Sequence, residues 1–138
     1  MRNRELAADD LRRAQARLRA LDVLFEEQRW ADVVRASQEI VELALKGLLR
    51  SCGVRAPRIH DVSEVLVNER ARLPKPVQEK VERLAGVSRD LRRDRELAFD
   101  GAEDLTPSRF SCADAAVQAR DGARFTVPSV APSVGDST

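Results

Sequence analysis

The segment WADVVRASQEIVELALKGLLRSCG, residues 30–53, carries a wide apolar stripe. Apolar positions recur every three or four residues, the spacing that places side chains on one face of an α-helix. The stripe comprises Trp30, Val33, Val34, Ser37, Ile40, Val41, Ala44, Leu45 and Leu48. Glycine commonly follows the last residue of a helix, so Gly53 predicts that this helix ends near Cys52.

A second stripe of the same spacing precedes it, between residues 4 and about 27. Its members are Ala7, Leu11, Ala14, Leu18, Leu21 and Phe25, and neither Gly nor Pro interrupts them. This pattern predicts a helix of about six turns. Because only a few polar residues link the two helices, we expect them to form an antiparallel hairpin.

Two further helices are predicted between residues 61 and 101, of which the first is shorter. Asp61 or Ser63 can cap a third helix that continues to about residue 70. Pro76 suits the first turn of a fourth helix, which Gly101 ends.

Ser111 can cap a fifth helix, from residue 112 to about residue 124. Residues 126–138 repeat a Pro-Ser-Val triplet without a periodic apolar face, and we expect a disordered tail there. The sequence therefore predicts an all-α, up-and-down bundle of four to five helices, with one domain over residues 1–125.

Composition argues against several classes of function. The 24 basic and 23 acidic residues nearly balance, so an anionic partner requires a local basic patch. Aromatic residues make up only 4% of the chain, which disfavours binding by base stacking. No apolar run is long enough to span a membrane, and acidic residues stand where a signal peptide is apolar. We expect a cytoplasmic protein.

Metal and cofactor sites are not expected. Cys52 and Cys112 lie far apart in sequence, and His60 is the single histidine. Phosphate-loop, dinucleotide, nucleophile-elbow and zinc-hydrolase motifs are absent from the sequence. His60 is expected to make a structural hydrogen bond.

The charged segment RRDRELAFDG, residues 92–101, ends the predicted fourth helix. At about 100° per residue, Arg95 falls on the same line as Val77, in the middle of the apolar stripe. Buried arginine requires a carboxylate, a phosphate or a subunit interface, unless the stripe opens to water and the side chain snorkels. Arg93 and Asp100 share another face, whereas Arg92 and Glu96 have the spacing of a surface ion pair.

Two motifs resemble the HEPN domain family. Residues 30–62 are similar to its second helix and the following loop, through Gln38, Glu39, Glu42, Lys46, His60 and Asp61. RELAFDG resembles the R-E-L-A-F-Y-G sequence of one branch, and the resemblance covers about residues 5–124. It implies a helical bundle that is usually a homodimer.

The resemblance also implies a candidate active site. Many HEPN proteins are metal-independent ribonucleases, or toxins paired with a minimal nucleotidyltransferase, with an R-x(4–6)-H motif at the dimer cleft. Arg95 or Arg93 matches the arginine, but Asp100 stands where histidine is expected. An aspartic acid with an ordinary pKa of about 3.9 is charged at pH 7, so it is a poor proton donor and repels phosphate.

Three functions follow as hypotheses. The first is a dimeric module of a toxin–antitoxin-type system, with a degenerate ribonuclease motif, that binds nucleotide, RNA or a nucleotidyltransferase partner around Arg93 and Arg95. The second is an active metal-independent ribonuclease toxin, in which Asp100 or another group replaces the histidine. The third is a purely structural interaction module.

Overall fold

The computed structural model describes residues 2–55, 61–100 and 113–134, with side chains for residues 3–55, 61–93 and 113–134. Its elements are α1 (Arg2–Glu26), α2 (Trp30–Ser51), α3 (Val62–Asn68), a 3-10 turn (Arg70–Arg72), α4 (Lys75–Gln78), α5 (Val81–Asp100) and α6 (Ala113–Val134). All secondary structure in these ranges is helical, which confirms the predicted all-α class. The first two predicted helices agree closely with α1 and α2.

α1 and α2 form the predicted antiparallel hairpin. The chain reverses at Gln28, which has a left-handed φ of 58°. At the far end of the hairpin, the Arg50 guanidinium donates a 2.8 Å hydrogen bond to the Asp10 carboxylate. The Asp10 side chain is only 8% exposed, and a buried carboxylate without a partner would be strongly destabilising. This ion pair therefore fastens α1 to the C-terminal end of α2.

The two helices approach closely at Gly47. A Cβ atom at this position would lie 3.2 Å from the Ala7 carbonyl oxygen and 3.2 Å from the Asp10 Cβ. Both neighbouring atoms belong to α1 and are not the ends of flexible side chains. The absence of a side chain at Gly47 therefore sets the distance between α1 and α2.

α2 is the central helix of the bundle, because α1, α5 and α6 all pack against it. Its buried residues are Ala31, Val33, Val34, Ser37, Gln38, Ile40, Val41, Ala44, Leu45, Gly47, Leu48 and Leu49. Arg120 of α6 lies over the Phe25 ring at 3.7 Å, and Arg124 donates a 2.8 Å hydrogen bond to Asp22. The order of these contacts shows that α6 runs antiparallel to α1 and parallel to α2.

Asp61 caps α3, as one of the two sequence alternatives predicts. Its Oδ1 accepts a 3.0 Å hydrogen bond from the Ser63 backbone N–H. The cap satisfies a donor that the first turn of the helix leaves without a partner.

The prediction of one continuous helix from Pro76 to Gly101 is wrong. The chain forms the single turn α4, breaks at residues 79–80, and restarts as α5. The Arg70 guanidinium donates a 3.0 Å hydrogen bond to the Gln78 carbonyl, an acceptor that a continuous helix would use internally. Val77 and Val81, on the two sides of the break, are both buried. The break thus leaves the four-residue apolar spacing intact across residues 79–80.

The predicted end of the last helix near Arg124 is also wrong, since α6 continues to Val134. Residues 126–134, which the sequence predicts to be part of a disordered tail, are therefore helical. Val127, Val130 and Val134 are buried and extend the stripe of buried alanines that begins at Ala116. Residues 135–138 and the predicted cap at Ser111 lie outside the described residues.

Two prolines within α6 explain why the sequence pattern was misleading. Pro128 and Pro132 each remove a backbone N–H, which normally disfavours the interior of a helix. Both are exposed, and so is Arg124, whose carbonyl group loses its N–H partner at Pro128. Burial of the three valines stabilises the helix despite the prolines.

Gly47→Leu tests the close approach of α1 and α2, and Gly86→Ala in α5 is the control at a glycine without close neighbours. Gly47→Leu should lower the free energy of unfolding by about 1–3 kcal/mol, because the new side chain overpacks the contact with α1. Gly86→Ala should raise it by about 0.5–1 kcal/mol, since Gly86 is helical and a Cβ atom there would have no neighbouring atom within 4 Å. Urea denaturation measures both. A Gly47→Leu protein as stable as the wild type would contradict the close contact.

Candidate functional site

The second half of α5 carries three arginines on its outer surface. Arg89 and Arg93 are exposed, and Arg92 is half-buried. At about 100° per residue, the three lie within an arc of about 100°. Leu91 remains buried on the opposite, inward side. We refer to Arg89, Arg92 and Arg93 as the α5 arginine face.

Arg93 is a predicted site residue whose side chain the structure describes, and it is exposed. Its side chain is 67% exposed, and its guanidinium lies 3.6 Å from the Asp90 carboxylate, one turn earlier in α5. An exposed ion pair of this kind contributes little to stability. Asp90 therefore does not prevent the arginine from contacting an anionic ligand.

Arg92 connects α5 to the start of α3. Its Nη1 lies 3.7 Å from Oδ1 of Asp61, the carboxylate that also caps α3. The sequence predicts a pair with Glu96 instead, and the Glu96 side chain lies outside the described part of the chain. Periodicity within one helix gives no signal for the contact with Asp61, because the two residues belong to different elements.

The other predicted residues are only partly described. Arg95 and Asp100 belong to α5, but their side chains lie outside the described part, as does His60. Arg95 follows the buried Leu91 by four residues, one helical turn. Its predicted position in the buried stripe, and its proximity to Asp100, remain predictions.

A small groove separates the same part of α5 from α6. It has a volume of about 80 Å³ and is lined by Val87, Asp90, Leu91, Gln118, Ala119 and Gly122. A Cβ atom on Gly122 would lie 2.9 Å from Val87 Cγ1, so glycine permits this close packing. The groove is too small to enclose a nucleotide, since ligand pockets usually measure about 300–1,000 Å³. A nucleic-acid ligand would therefore contact the α5 arginine face from outside.

The motif residues of α2 occupy two environments. Gln38 is buried in the bundle, whereas Glu39, Glu42 and Lys46 are half-buried on the outer side of the helix. These three line a second groove, together with Arg13 and Arg17 of α1. Sequence reasoning did not select the two α1 arginines, because only the antiparallel packing of α1 and α2 brings them to the motif.

The described helices carry neither a metal site nor a membrane span. Within the described ranges, no group of three or more His, Cys, Asp or Glu residues is close enough together to hold a metal ion. None of the helices described above combines the length and apolar composition of a transmembrane span.

Comparisons with known proteins define the family. The fold is an all-helical bundle whose fifth helix carries a cluster of surface arginines. The family model of the HEPN domain matches residues 7–118, from α1 into α6, and this chain belongs to the HEPN domain family. No curated protein and no solved structure matches the chain significantly. Membership of the R-E-L-A-F-Y-G branch remains a prediction.

Substitutions of Asp61 separate its two contacts. Asp61→Asn should keep most of the cap and lose only the charge opposite Arg92, at a cost of up to about 1 kcal/mol in the free energy of unfolding. Asp61→Ala should lose the cap as well, at a further cost of about 1 kcal/mol. Urea denaturation of the two variants gives the comparison. Equal losses would show that the cap contributes nothing.

Proposed function

We propose that this protein is a cytoplasmic HEPN homodimer that binds RNA through the α5 arginine face and Arg95, as a module of a toxin–antitoxin-type system with a degenerate ribonuclease motif. A minimal nucleotidyltransferase is the protein partner that the family suggests. The observation that carries the proposal is the clustering of Arg89, Arg92 and Arg93 on one side of α5, the helix whose second half resembles the family's active-site helix.

The chemistry of these side chains favours phosphate as the group that is bound. A guanidinium presents a planar fork of donors that matches two phosphate oxygens, and it stays charged at all physiological pH values. Phosphate can compete with Asp90 for Arg93, because the exposed Arg93–Asp90 pair is weak. With few aromatic residues for base stacking, affinity would come mainly from contacts with the RNA backbone.

Asp100 supports binding rather than cleavage. Cleavage through the ribose 2′-hydroxyl requires one group that accepts a proton and a group that donates a proton to the leaving oxygen. A charged carboxylate can accept a proton only weakly and has none to donate, and it repels the phosphate. The arginines can therefore hold the RNA, while the proton transfers lack the histidine that the family uses.

Arginine substitutions test RNA binding at this surface. Arg93→Ala and Arg95→Ala should each weaken binding of a labelled single-stranded RNA, measured by fluorescence anisotropy. Because each lost phosphate contact reduces counterion release, the slope of log K against log salt should become less negative by about 0.7 per contact.

Arg12→Ala is the matched control for Arg93→Ala. Both arginines are 67% exposed, and each has an aspartate partner three residues earlier, Asp9 for Arg12. The control should bind RNA like the wild type. If all three variants bind RNA equally well, the proposal is wrong.

A substitution at Asp100 tests the missing proton donor. The wild-type protein should leave RNA intact in the presence of EDTA, whereas Asp100→His should introduce metal-independent cleavage. The double variant Arg95→Ala/Asp100→His should again be inactive. Cleavage by the purified wild type that Arg95→Ala abolishes would instead support the active ribonuclease.

A further inference from the structure

A charged groove lies between α1 and α2, apart from the α5 arginine face. Its lining consists of Arg13, Arg17, Glu39, Glu42, Leu43 and Lys46, and its volume is about 130 Å³. Since a single water needs only about 10–15 Å³, the groove can hold a larger polar group. We refer to it as the α1–α2 groove.

Some charges in the groove already have partners. The Glu39 carboxylate lies 3.7 Å from the Arg17 guanidinium and 3.8 Å from that of Arg35. Arg13 has only a 3.9 Å contact with Asp10, whose carboxylate is held more closely by Arg50, at 2.8 Å. The positive charge of Arg13 is therefore available to a ligand.

Glu42 and Lys46 differ from these residues. Both are half-buried, and neither makes an ion pair or hydrogen bond with any other described residue. Glutamate four residues before lysine is the arrangement that usually pairs along a helix. Here the two residues form no ion pair, and both line the groove together with Leu43. A ligand that complements them needs an anion near Lys46 and a hydrogen-bond donor near Glu42.

We propose that the α1–α2 groove is a second RNA contact, in which Lys46 and Arg13 bind a backbone phosphate and the Glu42 carboxylate accepts a hydrogen bond from the neighbouring ribose 2′-hydroxyl. RNA carries such a donor beside every internal phosphate, whereas DNA lacks it. A bare anion would be repelled by Glu42 without any compensating hydrogen bond. Glu42 is thus the residue that selects RNA over DNA.

This inference rests on the proposed RNA binding and adds the source of its specificity. The experiment compares a labelled 12-nucleotide single-stranded RNA with DNA of equivalent sequence, by fluorescence anisotropy at several salt concentrations. Lys46→Ala should weaken binding of both ligands and make the slope of log K against log salt less negative by about 0.7. Glu42→Ala should reduce the preference for RNA over DNA by about tenfold, the worth of one hydrogen bond to a charged group.

Matched controls are available on the same protein. Lys80 and Glu79 are exposed residues at the break between α4 and α5, outside the groove. Lys80→Ala should leave the salt dependence unchanged, and Glu79→Ala should leave the RNA preference unchanged. Circular dichroism verifies that all four variants are folded, as expected for alanine at the α2 positions 42 and 46 and at the exposed positions 79 and 80.

The outcomes separate this inference from the proposed function. If the wild type binds no RNA, both are overturned. If Arg93→Ala weakens RNA binding while Lys46→Ala and Glu42→Ala change neither the salt dependence nor the RNA preference, the α1–α2 groove is not a contact and the proposed function stands. If only the groove variants weaken binding, the second contact is supported and the α5 arginine face is excluded.

Discussion

The contact between α1 and α2 at Gly47 is the constraint on which the rest of the bundle depends. Close approach at Gly47 allows the Asp10 carboxylate to reach the Arg50 guanidinium. It also leaves the buried apolar side of α2 available to the other helices. α1, α5 and α6 then pack around α2, while its remaining side, with Glu39, Glu42 and Lys46, stays accessible. A residue without a side chain thus determines both the core and the location of the α1–α2 groove.

Periodicity predicts α1 and α2 well, because it reports directly on burial. The apolar spacing predicts α1 and α2, and the short polar link between them predicts their antiparallel arrangement. Asp61, one of the two candidate residues before α3, is its cap. The fourth helix was predicted as one piece because Val77 and Val81 keep helical spacing across the break. The break depends on Arg70, whose contact with the Gln78 carbonyl arises only when the chain is folded.

The end of α6 shows the limit of composition as a guide. Proline, serine and valine repeats are typical of disordered tails, yet Val127, Val130 and Val134 have the three- and four-residue spacing of a buried stripe. In the candidate site, the sequence pattern predicts neighbours within one helix but not contacts between helices. Arg92 and Arg93 could be selected from the sequence, because they share one helix, whereas Arg89 joins them only once the exposed side of α5 is known. Asp61 beside Arg92, and Arg13 and Arg17 beside the α2 motif, could not, since tertiary packing brings them together.

The carboxylate of Asp61 has a consequence for how ligand binding affects the fold. It holds the first turn of α3 and also faces Arg92. A phosphate on the α5 arginine face would compete with Asp61 for the same guanidinium. Occupancy of that face and the docking of α3 against α5 are then thermodynamically linked, and each changes the equilibrium of the other by the same factor. Binding of phosphate to α5 would therefore weaken the docking of α3 against it.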